Sequence, residues 1–179
     1  ADDRRMRQIR GGEIAMIFQE PMVSLNPLMT VGRQIDEILE VHTSWGKAER
    51  RRRVIATFED VRLPEPERIV DAYPHELSGG QRQRVMIAMS LVLEPKLIIA
   101  DEPTTALDVT TEAQILTLLK ELQTKHGTAL LFITHNFGVV AEIADRVAVM
   151  RFGELVEYGP AANVLDNPQH AYTKALINA

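Results

Sequence analysis

Residues 76–108 read ELSGGQRQRVMIAMSLVLEPKLIIADEPTTALD, and this stretch holds two signals that belong to one reaction. The first is LSGGQ, Leu77 to Gln81. A helix that starts here presents unpaired N–H groups and a partial positive charge, which attract an anion. Glycines at 79 and 80 let the backbone approach that anion with no Cβ in the way, and Ser78 supplies a hydroxyl. Ser78 followed three residues later by Gln81 also reads as a capping box, although two adjacent glycines exceed what a cap needs. The second signal is KLIIADEP, residues 96–103. Four apolar residues, Leu97 to Ala100, fill a buried strand, and Asp101 and Glu102 stand at its carboxyl end. Ligand crevices in open α/β sheets lie at that end. Asp101 is placed to hold Mg²⁺, directly or through a water. Glu102 is placed to polarise an attacking water. The plain alternative is an acidic strand end before Pro103. Both signals together point to nucleotide hydrolysis.

The flanking chain supplies the scaffold. GEIAMIFQEP reads as a strand from Glu13 to Phe18 that ends at Gln19, with Pro21 forbidding a simple helical continuation. SLNPLMTVGRQIDEILEVH begins as a loop and becomes a helix near Val31, with Val31, Ile35, Ile38 and Leu39 on one face. A second helix over GKAERRRRVIATFEDVRL is broken by Pro64 and Pro66, and a short one near Glu67–Ala72 ends at Pro74. The helix that opens on the double glycine runs from Gly80 to Leu93 and stops at Glu94-Pro95. After the strand Leu97–Ala100, the pattern alternates. A helix spans Thr111–Lys125 with Gly127 as its C-cap, a strand Ala129–Ile133, and a helix Phe137–Ala144. DRVAVMRFGELVEYG reads as a hairpin turning at Phe152-Gly153, and two short helices close the chain. Strand–helix alternation implies an α/β fold with a mostly parallel sheet and helices on its faces. The helix-only run from about Leu28 to Leu93 reads as an inserted helical lobe. The expected segments are a core-sheet piece over 1–27, the helical subdomain over 28–93, the rest of the core over 94–159, and closing helices over 160–179.

Composition narrows the function classes. The formal net charge is -5, which argues against broad binding to nucleic acid, since that requires a basic surface. There are no cysteines, so structural disulfides and thiolate metal sites are excluded. No apolar run approaches the roughly 18–20 residues needed to cross a bilayer. The basic run from Glu49 to Arg53 spreads round a helix and reads as a solvated face rather than a nucleic-acid or membrane patch.

The two motifs of the opening stretch resemble the signature and Walker B elements of ATP-binding cassette (ABC) ATPases, and further elements follow in the family's order. Gln19 resembles the Q-loop glutamine, TTALD ending at Asp108 the D-loop, and His135 in LFITHN the switch histidine. Within the family, IAMIFQEPMVSLNP is similar to the ATPase subunits of dipeptide, oligopeptide and nickel importers. YPHELSGGQRQRVMIAMSL, FGVVAEIADRVAVM and HAYTKAL agree with that group. The resemblance implies a P-loop NTPase-like (RecA-like) core, ATP and Mg²⁺ as ligands, and two cassettes packed head to tail around shared nucleotides. It assigns Gln19, Asp101, Glu102 and His135 to the site in cis, with Gln19 and Asp101 towards the metal and Gln19, Glu102 and His135 towards catalysis. It assigns Ser78, Gly79, Gly80 and Gln81 to the nucleotide held by the other cassette, with Asp108 at the contact between subunits. Its implied partners are a second ATPase subunit, integral membrane permeases and, indirectly, a substrate-binding protein. Its implied location is peripheral, on the cytoplasmic face of the inner or plasma membrane.

Two departures accompany the resemblance. A phosphate loop reads GxxxxGK[ST], and the only Gly-Lys here is Gly46-Lys47, followed by Ala48. The family's loop lies upstream of the Gln19 strand, so the chain reads as an incomplete cassette and is expected to be inactive alone. Asn136 stands where the family commonly has Asp, which puts the support of His135 in doubt. The competing readings are an ABC ATPase of DNA repair or translation, and a binding module without activity. The short lobe between Gln19 and Leu77 lacks the sustained heptads of the repair class.

Overall fold

The computed structural model describes residues 2–19, 24–105 and 107–178. The Pro21 break, residues 20–23 of the run after Gln19, and Ala106 of TTALD lie outside the described residues. The chain divides into two compact units, residues 1–133 and 134–179.

The first unit is built on three parallel strands, β1 (Ile14–Ile17), β2 (Leu97–Asp101) and β3 (Ala129–Ile133), in the spatial order β1-β2-β3. The register pairs Ile14 with Leu97 and Leu97 with Ala129, and continues to Asp101 opposite Ile133. Parallel neighbours require long crossovers. The β1–β2 crossover is the helical run, and the β2–β3 crossover is one long helix. A helix not anticipated from the sequence, α1 (Asp3–Ile9), precedes β1. Its sequence DRRMRQI is mostly charged and carries little apolar periodicity to detect.

The helical run comprises α2 (Val31–His42), α3 (Lys47–Asp60), the single turn α4 (Pro66–Ile69) and a 3₁₀ turn Pro74–Glu76. Thr30 caps α2 through its hydroxyl, which accepts from Arg33 N. Val31, Ile35 and Leu39 form the buried stripe expected of this helix, while Ile38 is only half-buried. Gln34 is buried with them, which an apolar-periodicity argument does not foresee. Its Nε2 donates to the carbonyls of Asn26 (3.1 Å) and Met29 (3.0 Å), and its Oε1 accepts from Asn26 N (2.9 Å). One side chain thereby folds the SLNPLM loop. A buried amide is stable only when paired in this way.

Arg50, Arg51 and Arg53 of this run are clamps rather than a merely solvated face. Arg50 Nε donates to Asp36 Oδ1 at 2.6 Å, with both side chains mostly buried. Arg51 makes a two-pronged contact with Asp71 at 3.2 and 2.9 Å. Arg53 reaches the carbonyl of Val92 (2.9 Å) and the carboxylate of Glu94 (3.0 Å) at the end of the next helix. Each guanidinium ties α3 to a different neighbour.

That next helix, α5 (Gly79–Leu91), and α6 (Val109–His126) cover one face of the sheet. Ile87 and Leu91 of α5, Leu119 and Leu122 of α6, and Ile98 and Leu130 of the strands line one small crevice. Ala15, Ile17, Ile98 and Ala100 point into this core and are buried. Gly127 ends α6 with φ 64°, the left-handed conformation that a Cβ disfavours.

The second unit holds α7 (Phe137–Ile143), the antiparallel pair β4 (Arg146–Arg151) and β5 (Glu154–Pro160), and the helices α8 (Ala161–Asp166) and α9 (Ala171–Ile177). Phe152 (φ 49°) and Gly153 (φ 83°) both take positive φ at the hairpin tip, as a tight two-residue turn matching strand twist requires. Its core is Val147, Val149, Ala161 and Val164. Among the described residues no helix is long and apolar enough to cross a membrane.

Candidate active site

Two of the expected residues are brought together from distant points of the chain. Gln19, just past β1, donates from Nε2 to Glu102 Oε2 at 3.0 Å. The parallel register of β1 on β2 produces this contact, because it places both carboxyl ends at one edge of the sheet. Asp101 is the last residue of β2 and is half-buried. Glu102 follows with its N–H donating to the carbonyl of Ile133 at 2.9 Å, which extends the ladder with β3 by one residue. Its φ of 44° is left-handed. For a residue with a Cβ this conformation costs about 1–2 kcal/mol, and such costs concentrate where the surrounding structure must aim a side chain. The carboxylate receives a second donor, Thr105 Oγ1 at 2.9 Å. Thr105 was not anticipated from the sequence. Its only visible signal is a hydroxyl three residues beyond the candidate base.

The LSGGQ residues sit at the N-terminus of α5. Ser78 Oγ accepts from Gln81 N (3.3 Å), and Gln81 Oε1 accepts from Ser78 N (2.9 Å), so the capping box is formed. The box and a phosphate-facing role coexist. Ser78 spends only an acceptor position in the cap, and its own O–H remains able to donate. The two glycines differ. A Cβ on Gly79 would meet no atom within 4 Å, so packing does not require glycine there. A Cβ on Gly80 would stand 2.9 Å from Thr111 Cγ2, so Gly80 is required by the packing of α5 against α6.

Thr111 also joins the signature segment to the D-loop. Its backbone N–H and hydroxyl donate to Asp108 at 3.0 and 2.6 Å, and Asp108 caps α6. The Thr111 hydroxyl and amide hold the Asp108 carboxyl below its usual range.

His135 belongs to the second unit and is exposed. Asn136 behind it caps α7, its Oδ1 accepting from Gly138 N at 2.9 Å, while Thr134 Oγ1 accepts from Asn136 N at 3.0 Å. Asn therefore performs the local capping task that an Asp would perform at this position.

The donor set suits the expected ligands. Asp101 offers a hard oxygen at a strand end, and Mg²⁺ characteristically takes one or two carboxylates together with substrate phosphates rather than a full protein cage. No group of three or more His, Cys, Asp or Glu arranged to hold a metal occurs among the described residues. The start of α5 and the hydroxyl of Ser78 suit a phosphate oxygen.

The chain is 59% identical over 177 residues to a peptidoglycan transport ATP-binding protein of Agrobacterium fabrum, covering 99% of the chain and 32% of that protein. It is 54% identical to the oligopeptide transport ATP-binding protein of Bacillus subtilis, covering 98% of the chain and 49% of that protein. It thus spans about one third to one half of the length of these curated relatives. Among solved structures it is similar to cbiO1 of Clostridium perfringens, part of the cbiONQ transporter complex. The TM-score there is 0.81 at 31% identity, covering 93% of this chain and 64% of that one. It is also similar to an ATP-binding cassette solved as a dimer after hydrolysis with ADP and Pi. That match has a TM-score of 0.77 at 32% identity and covers 90% and 68% of the two chains. Residues 2–105 match the ABC transporter family profile, and the chain belongs to that family, with the P-loop NTPase fold of its cassettes.

Proposed function

We propose that this chain is part of the ATP-hydrolysing subunit of an importer for peptides, driven by ATP-dependent head-to-tail pairing of two cassettes. The observation that carries the reading is the Gln19–Glu102 hydrogen bond at 3.0 Å. It joins the segment after β1 to the acid after β2, the two places where an α/β sheet of this order presents catalytic groups. The relatives named above are peptidoglycan and oligopeptide transport ATP-binding proteins, and a further one, 54% identical, is a glutathione import ATP-binding protein of Escherichia coli. Peptide-like cargo is common to them.

In this reading Glu102 accepts a proton from the attacking water and orients it in line with the γ-phosphate. His135 donates a hydrogen bond to a γ-phosphate oxygen as charge develops there. Asp101 and Gln19 would hold Mg²⁺, which would neutralise charge on the phosphate oxygens when bound. Ser78 and the amides of Gly79 and Gly80 close over the nucleotide of the opposing cassette, and Gln81 keeps the cap in shape. Asp108 stands at the subunit contact. Residues 28–93 act as a helical subdomain that receives the membrane permease, and the assembly lies peripherally on the cytoplasmic face of the membrane. Holding the β- and γ-phosphates requires a glycine–lysine loop that residues 1–179 do not contain, so the isolated chain releases no phosphate from ATP.

The test uses Glu102→Gln in the full-length protein. The variant is expected to bind ATP and dimerise while hydrolysis falls by about 10²–10⁴-fold, the usual contribution of a general base. Turnover at the unsubstituted rate removes Glu102 from this role. Phosphate release above background by the isolated chain contradicts the reading of its missing loop.

A further inference from the structure

The turn that carries Glu102 contains a second polar group aimed at the same carboxylate. Glu102 Oε2 accepts from Gln19 Nε2 at 3.0 Å and from Thr105 Oγ1 at 2.9 Å. Thr105 also closes the turn through its backbone, donating to the carbonyl of Glu102 at 3.3 Å. The other end of the turn is pinned by the Glu102 N–H on Ile133. Residue 102 is thus held in a left-handed conformation from both sides, and its side chain is held by the hydroxyl.

The two donors are not equivalent. Gln19 belongs to a different segment, 83 positions away in sequence, so its bond depends on how that segment lies. Thr105 lies in the same turn, three residues on, so its bond moves with the carboxylate and survives displacement of the Gln19 segment. A carboxylate has a free torsion about its last bond, and a single local donor on one oxygen removes it.

We propose that Thr105 is a positioning residue for Glu102, holding its carboxylate in one orientation towards the attacking water. The inference rests on the assignment of Glu102 as general base. Thr105 touches neither nucleotide nor water in this role and acts only through the carboxylate.

The experiment measures steady-state ATP hydrolysis by the full-length protein as Thr105→Val, Thr105→Ser, Glu102→Gln and the Thr105→Val/Glu102→Gln pair. Valine keeps the shape of threonine and deletes the donor. Its expected effect is a fall in kcat of about tenfold, the usual worth of one hydrogen bond to a charged group, with KM for ATP unchanged. An unchanged KM also reports that the variant is folded. Serine restores the donor and is expected to restore kcat. In the pair, the valine substitution should cost nothing beyond Glu102→Gln, because its effect passes through the carboxylate. A Thr105→Val protein with undiminished kcat overturns the inference, as does equal impairment by serine and valine, or a change confined to KM. An inactive Glu102→Gln beside a fully active Thr105→Val overturns this inference alone. A fully active Glu102→Gln overturns the base assignment and this inference with it.

Discussion

Asp108 illustrates how one residue serves the helix and the candidate site at once. Its carboxylate accepts both the amide and the hydroxyl of Thr111, and those donors hold its pKa below the ordinary value of 3.8. A carboxyl lowered in the folded state stabilises the fold fully above the unfolded pKa, and that contribution is lost as pH falls through the folded value. Asn is an equally good cap, so Asp108→Asn removes the charge and keeps the hydrogen bond. Thermal unfolding of the two proteins should differ at pH 7, and the gap should close as pH falls below the ordinary carboxylate range and through the lowered pKa of Asp108. A gap that stays constant over that fall in pH would show that the charge is not what matters. At the same scale, most of the candidate residues were readable from motif text: Asp101 and Glu102 from an acidic strand end, Ser78 to Gln81 from a helix start. Thr105 and Gln34 were not. The role of each is a bond to a group whose position depends on the folded chain, and neither lies on an apolar stripe.

Between elements, close approach decides which small residues are required. Gly32 N donates to the carbonyl of Val70 at 3.0 Å, and Val31 N to that of Ala72 at 2.9 Å. A Cβ at 32 would collide with both the side chain and the carbonyl of Val70. In an isolated helix, Gly→Ala stabilises by about 1 kcal/mol. Here Gly32→Ala is expected to destabilise by about 1–3 kcal/mol, the usual cost of overpacking, seen as a lower midpoint in urea. A raised midpoint would mean that the segment carrying Val70 yields easily. The regular elements themselves were legible, because caps and prolines bound them: the 129–133 strand, the Gly127 cap and the Phe152-Gly153 turn stand where the sequence places them. The arginine run was not, because helical spacing shows that its side chains diverge but not what each of them meets.

Among the described residues of the first unit, several apolar side chains of the sheet and its edge are exposed. Ile14, Met16, Phe18, Leu131 and Ile133 are all at least 37% exposed. Parallel sheets are ordinarily buried on both faces, and contiguous apolar surface drives association. The isolated chain is therefore expected to self-associate in solution. Leu131→Lys combined with Met16→Lys should shift its sedimentation towards a monomer while leaving far-UV ellipticity unchanged. A monodisperse monomer without those changes would show that these side chains are protected in another way.

The amino-acid sequence by itself determined the local chemistry: where helices begin, which strand ends in two carboxylates, which histidine follows a strand, and that no phosphate loop lies within residues 1–179. These depend on neighbours a few positions apart, and short-range sterics and hydrogen-bonding capacity are enough to read them. Only the tertiary structure decided that Gln19 and Thr105 share one oxygen of Glu102, that Gly80 rather than Gly79 is needed for packing against Thr111, and that Ile14, Met16, Leu131 and Ile133 of the sheet are exposed. Those outcomes follow from the parallel register of β1, β2 and β3 and from the packing of α5 on α6. Both are set by how the whole chain buries its apolar surface, which no local window of sequence contains.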